Sequence, residues 1–170
     1  GTSAIYGIEN LKEMSELGVE THLVISKNGQ ITIAHETEYT VPAAQKLADH
    51  FYSNNDMTAE IASGSFKTDG MIIAPCSMTS LSEIATGRGS NLITRAADVV
   101  LKERRKLVLL PRETPLNLAH IRNMVAVTEM GGIIAPPLPA FYAKPKTIEE
   151  MVAHTVGRVL DLFDFESDKI

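Results

Sequence analysis

The chain has 170 residues, 44% of them hydrophobic and 22% charged, with a net charge of −5. This length suits one α/β domain, the balance excludes intrinsic disorder, and the acidic charge excludes a general nucleic-acid binder. Cys76 is the only cysteine, which excludes an intrachain disulfide or a cysteine metal cluster, and no apolar run approaches the ~20 residues of a membrane span.

No signal peptide is visible, so a soluble protein of a reducing, cytoplasmic compartment is expected. The five histidines (His22, His35, His50, His120 and His154) are scattered without a ligand spacing, and no metal is expected.

The chain opens on G-T-S-A-I-Y-G, a turn that leads into a helix with no strand ahead of it. Such turns normally follow a strand, so the first strand of the fold is expected to lie outside this sequence. Ile5, Ile8, Leu11, Met14 and Leu17 recur every third residue, which predicts an amphipathic helix stopped by Gly18. A strand is expected over 19–26. Thr40 is placed to cap a short helix with Pro42 in its first turn. Residues 51–70 are polar and broken and read as loop.

Two segments then stand out. D-G-M-I-I-A-P-C-S-M (69–78) and R-K-L-V-L-L-P-R-E-T-P-L (105–116) are short apolar runs that reach a proline and turn at once polar. Buried parallel strands look like this where they end at a sheet edge. Helices are expected over 77–85, 91–103, 116–130 and 147–163, and strands over 106–110 and 133–135. Gly87 to Gly89 read as a mobile loop. Four of the eight prolines fall within 135–146, which is expected to be non-helical. The alternation implies a doubly wound, Rossmann- or flavodoxin-like parallel sheet in a single domain over 1–170.

Ligands of such sheets bind outside the carboxyl ends of the strands, where helix N-termini point. Ser3, with Gly1 and Thr2, stands at a helix start, either as a plain cap or as a phosphate ligand. Ser26 has the same two readings. Ser77, Met78, Thr79 and Ser80 bring hydroxyls and free N–H groups to a helix start that suits the edge of a flat polar ring. Cys76 beside them reads as a packing residue. Glu36 reads as a solvated carboxylate. Arg95 and Lys102 stand seven residues apart, two turns along one helix face, as a solvated basic face or as two cations on one phosphate. Arg112 and Glu113 follow a buried strand directly. Tyr142 and Arg158 join them as members of a possible anion cage.

The combination P-C-S-M, R-A-A-D-V-V-L-K-E-R-R, P-R-E-T-P-L, I-R-N-M, P-P-L-P-A-F-Y and V-G-R-V-L-D-L-F resembles the UbiX-type flavin prenyltransferases. These include the small B subunits of phenolic-acid and hydroxybenzoate decarboxylase systems. The resemblance covers nearly the whole chain. It implies transfer of a dimethylallyl group from dimethylallyl phosphate to reduced FMN, giving prenylated FMN for a partner UbiD-type decarboxylase. It implies FMN contacts at Gly1, Thr2, Ser3, Ser26, Ser77 to Ser80 and Arg112, and prenyl-phosphate contacts at Tyr142 and Arg158. Arg95 and Lys102 match the basic residues around that phosphate, and Glu36 and Glu113 the acidic pair that handles protons. A homo-oligomer, typically a dodecamer with sites at subunit junctions, is implied as well.

The first turn lacks the glycine after serine in the family's G-A-S-G-A-x-Y-G. Two other functions share these features: a flavin-dependent cysteine decarboxylase of the phosphopantothenoylcysteine type, and a non-catalytic FMN carrier. The former uses P-x-M-N where this chain reads P-L-P-A-F-Y.

Overall fold

A computed structural model describes residues 4–165, so Gly1, Thr2 and Ser3 lie outside the described residues. Helix α1 (Ile5–Glu16) buries Ile8 and Leu11 and gives way at Gly18, whose φ of 76° suits a residue without a Cβ. Strand β1 (His22–Ile25) leads to α2 (Lys27–Glu36), then α3 (Val41–Gln45) and β2 (His50–Ser53). After the 3₁₀ turn Glu60–Ala62 come β3 (Gly70–Cys76), α4 (Met78–Thr86), α5 (Leu92–Lys102) and β4 (Lys106–Pro111). The order closes with α6 (Leu118–Glu129), β5 (Ile133–Ile134), the 3₁₀ turn Phe141–Ala143 and α7 (Ile148–Asp161).

The helices start where the sequence supplies caps. Thr40 accepts from Ala43 N, Asn91 from Thr94 N, Asn117 from His120 N and Thr147 from Glu150 N. Each such cap is worth about 0.5–2 kcal/mol. The segment between α4 and α5 is pinned rather than loose. The Glu83 carboxylate accepts from the Ser90 backbone and hydroxyl and from Thr94 Oγ1. Ser90 in particular holds the Glu83 carboxyl below its ordinary range.

Every described strand pairing is parallel, in two hydrogen-bonded groups, β1-β2 and β3-β4-β5. β4 is the spine. Leu107 and Leu109 face Leu81, Ile84, Ala97, Val100 and Val127 of α4, α5 and α6. Val108 and Leu110 face the other way, onto Val159 of α7. Helices thus cover both faces, the doubly wound arrangement that the alternation predicts. All four side chains are fully buried, and each such burial stabilises by about 1.5–3 kcal/mol.

Three further expectations change. Residues 51–53 are strand, not loop, because β2 pairs in register with β1; its outward residues gave no apolar alternation to read. β3 runs one residue past Pro75, and the ladder to β4 shifts register between Ile73 and Cys76, since proline has no N–H to donate. The proline-rich stretch contains one 3₁₀ turn at three residues that are not proline, Phe141–Ala143.

Candidate active site

Parallel pairing gathers the carboxyl ends of the strands on one edge, and α1 ties the two groups together there. A Cβ on Gly7 would lie 2.4 Å from the Ala74 carbonyl oxygen, so α1 rests directly on the end of β3. Three residues earlier, Ala4 belongs with Ile8 to the cluster against which Ile25, at the end of β1, packs. Just past β2, Asn54 accepts from Leu92 N and from Ile93 N, both at 2.9 Å, and so fixes the start of α5 at the same level.

Ser26 and Ser77 stand at this edge as N-caps of α2 and α4. Ser26 Oγ accepts from Gly29 N at 3.0 Å, so the capping reading holds. Ser77 Oγ accepts from Ser80 N and donates to Ser80 Oγ, both at 3.1 Å. The N–H groups of Met78 and Thr79 belong to the first turn, which has no intrahelical acceptors, and the helix dipole adds positive potential. Such a helix start can bind a polar or anionic group. Arg112 and Glu113 emerge exposed from the end of β4. The Glu113 carboxylate accepts from Thr114 N at 3.1 Å, which orients it. Glu36, the last residue of α2, reaches back to accept from Ala4 N at 3.3 Å, so it sits at the start of α1 rather than alone on a polar stretch.

Cys76, in the middle of this edge, is buried, and that burial pushes its thiol up to about 12. A thiolate nucleophile is therefore absent at neutral pH. Native protein is expected to resist a thiol reagent at pH 8 and to react fully once unfolded in guanidinium. Rapid stoichiometric labelling of the native chain would refute the packing role.

Tyr142 and Arg158 meet in a cavity of about 420 Å³ between the proline-rich segment and α7. Its walls are apolar at Ile133, Leu138, Val159 and Leu162, with Tyr142, His154, Thr155 and Arg158 as polar groups. The Tyr142 hydroxyl is 3.4 Å from His154 Nε2, and Arg158 Nη1 is 3.4 Å from Asp161 Oδ2. A guanidinium beside a hydrocarbon-lined slot suits a small molecule with an anionic head and an apolar tail. His154 is the member that sequence reasoning missed. Its spacing from Arg158, one helical turn, was the available signal.

Arg95 and Lys102 are not brought to this cavity within one chain. α5 packs on the Leu107–Leu109 face of β4 and α7 on the Val108–Leu110 face, so the sheet stands between them. Arg95 Nε donates to Ala62 O at 3.3 Å, and Lys102 Nζ lies 3.5 Å from Glu103. Helical spacing places the two cations on one face but says nothing about which side of the sheet that face takes.

Serine-capped helix starts and an Arg–Glu turn at the carboxyl edge of a doubly wound α/β sheet stand where such folds bind their ligands. The flavoprotein family model matches residues 1–160. A probable UbiX-like flavin prenyltransferase of Bacillus subtilis is 59% identical over 162 residues, 95% of this chain and 79% of that protein. The crystal structure of AnUbiX (PadA1) in complex with FMN and dimethylallyl pyrophosphate superposes with a TM-score of 0.99 at 50% identity, covering 100% of this chain and 90% of that one. A dodecameric FMN-dependent UbiX-like decarboxylase from Escherichia coli O157:H7 gives 0.97 at 49% identity, covering 99% and 91%. The chain belongs to the UbiX-like flavin prenyltransferases of the flavoprotein family.

Proposed function

We propose that this chain joins the dimethylallyl group of dimethylallyl phosphate to reduced FMN and releases prenylated FMN. The observation that carries the proposal is the slot in which Tyr142 and Arg158 place a hydroxyl and a guanidinium against apolar walls. Reduced FMN, when bound, supplies the electron-rich ring that receives the allyl carbon. Arg112, Ser26 and the first turn of α4 from Ser77 to Ser80 hold it, together with Gly1, Thr2 and Ser3. Arg158 and Tyr142 bind the donor phosphate.

The allylic C–O bond breaks with its electron pair on the phosphate oxygen, so positive charge and a proton are needed at that atom. Arg158 provides the charge, and Glu113 gives the proton. Glu36, held near the start of α1, takes the proton that is released as the new bond forms. The apolar walls receive the dimethylallyl tail.

Arg95 and Lys102 complete the phosphate site from a neighbouring chain, in a homo-oligomer of the dodecameric kind. The sheet that separates them from Arg158 within one chain supports this. No described helix is long and apolar enough to cross a membrane. Action in the cytoplasm and delivery of the product to a UbiD-type decarboxylase rest on the sequence resemblance. Anaerobic incubation with reduced FMN and dimethylallyl phosphate should yield a flavin heavier by one C5H8 unit. Unchanged flavin mass with intact, FMN-bound protein would refute the activity.

A further inference from the structure

At the opposite edge of the β1-β2 pair, three side chains converge that the transferase chemistry does not use. His22 and His50 are register partners at the first position of their strands, so their side chains leave the same face of the pair. Their rings stack at 4.6 Å with 16° between planes. His22 Nε2 and His50 Nε2 each lie 3.2 Å from the same oxygen, Glu20 Oε1. From this geometry we infer that Glu20, His22 and His50 form a binding site for a late first-row divalent cation, zinc being the best match.

The three ligand atoms lie within 4.8 Å of one another, close enough for one ion to bridge them once the two stacked rings turn their Nε2 atoms toward it. Metal–nitrogen bonds of about 2.0–2.1 Å and metal–oxygen bonds of about 2.0–2.2 Å at tetrahedral angles put ligand atoms about 3.3 Å apart. Two of the three edges, from Glu20 Oε1 to each Nε2, are 3.2 Å. Two imidazoles and one carboxylate make a borderline nitrogen–oxygen donor set, which favours zinc and its neighbours over magnesium or calcium. Water supplies the fourth ligand, since Glu20 and His50 are exposed.

Surrounding groups hold the ligands in place. His22 Nδ1 is 2.8 Å from the Tyr52 hydroxyl, and Tyr52 lies two residues beyond His50 on the same face of β2. With the proton on Nδ1, the ring donates to Tyr52 and turns the Nε2 lone pair to Glu20, the outer-shell arrangement of zinc-binding histidines. Phe66 packs its edge against the His22 ring at 5.3 Å. The register is fixed one step earlier: Thr21 N donates to Asp49 Oδ2 at 2.8 Å, and Asp49 N donates to Thr21 Oγ1 at 3.1 Å. The local charge is negative. Glu60 and Asp56 place further carboxylates near Tyr52, and their field attracts a cation.

The site lies the length of β1, about 10 Å, from the edge that carries Ser26. An ion there is a staple across a two-stranded pair, which is marginal by itself. It takes no part in prenyl transfer, and the inference stands whether or not that activity does.

The full chain, stripped with a chelator and dialysed, would be titrated with zinc by calorimetry and with cobalt by absorption. Expected are one ion per chain at micromolar zinc, tetrahedral cobalt bands, and a zinc-dependent rise in Tm of about 5–10 °C when zinc is a hundredfold above Kd. His50→Gln and Glu20→Gln should each weaken binding at least tenfold, and Tyr52→Phe about tenfold or more through its effect on His22. His120→Gln, away from the cluster, should bind as the parent does. Circular dichroism of each variant checks folding, and Glu20→Gln, an exposed change, serves if the histidine variant fails to fold. Absence of saturable binding at micromolar zinc, or parental affinity in a folded His50→Gln or Glu20→Gln, would overturn the site. So would an equal loss in His120→Gln.

Discussion

Arg158→Ala lowers kcat/KM for dimethylallyl phosphate by about 10²–10³-fold, the loss that accompanies removal of one well-placed donor to a developing anion. Arg158 supplies a forked cation to the apolar slot, where it can make two parallel bonds to a leaving phosphate. Lysine at this position keeps the charge but not the fork, so Arg158→Lys should fall between parent and alanine. FMN affinity, followed by flavin fluorescence, should stay near the parental value because Arg112 and the start of α4 are elsewhere. Initial rates of prenylated FMN formation measure the effect. Parental kcat/KM in a folded Arg158→Ala would remove the slot from the reaction. Inactive Arg158→Ala and Arg95→Ala chains, co-expressed so that they mix in one oligomer, should regain part of the activity, since some junctions then carry both arginines.

Glu113→Gln is the second large effect, a fall in kcat of about 10²–10⁴-fold with FMN binding retained. Glutamine keeps the oxygen that accepts from Thr114 N, so the turn after β4 survives while the transferable proton is lost. Arg112→Ala, one residue earlier, should instead weaken FMN binding. The contrast separates an enzyme from a flavin carrier: a carrier tolerates Glu113→Gln and suffers only from Arg112→Ala. Single-turnover mixing of protein, reduced FMN and donor, quenched and separated by chromatography, gives the rate directly.

The sequence was most legible where burial is two-sided. β3 and β4 read as strands because buried residues on both faces leave an uninterrupted apolar run, and their ends announced Ser77 and Arg112. β2 was invisible for the opposite reason: His50, Phe51 and Ser53 are exposed, and only pairing to β1 makes them a strand. Helical caps were legible because their chemistry is local, as at Thr40; Ser26 needed the structure to show its cap made. Arg95 and Lys102 mark the limit of periodicity, which gives a face but not the side of the sheet it joins. His22 and His50 mark another. They are distant in sequence, and register alone makes them neighbours.

The contact of Gly7 with Ala74 works as a mechanical datum. Side chains that meet across a core can change rotamer and shift a helix by fractions of an ångström, but backbone seated on backbone has no such freedom. The height of α1 above the end of β3 is therefore set by atomic radii. Position errors from the longer route through β1 and α2 do not accumulate there, and Glu36 is hooked to the same reference through Ala4 N. Glu36 and the carboxyl edge of β3 thus share one reference, the start of α1.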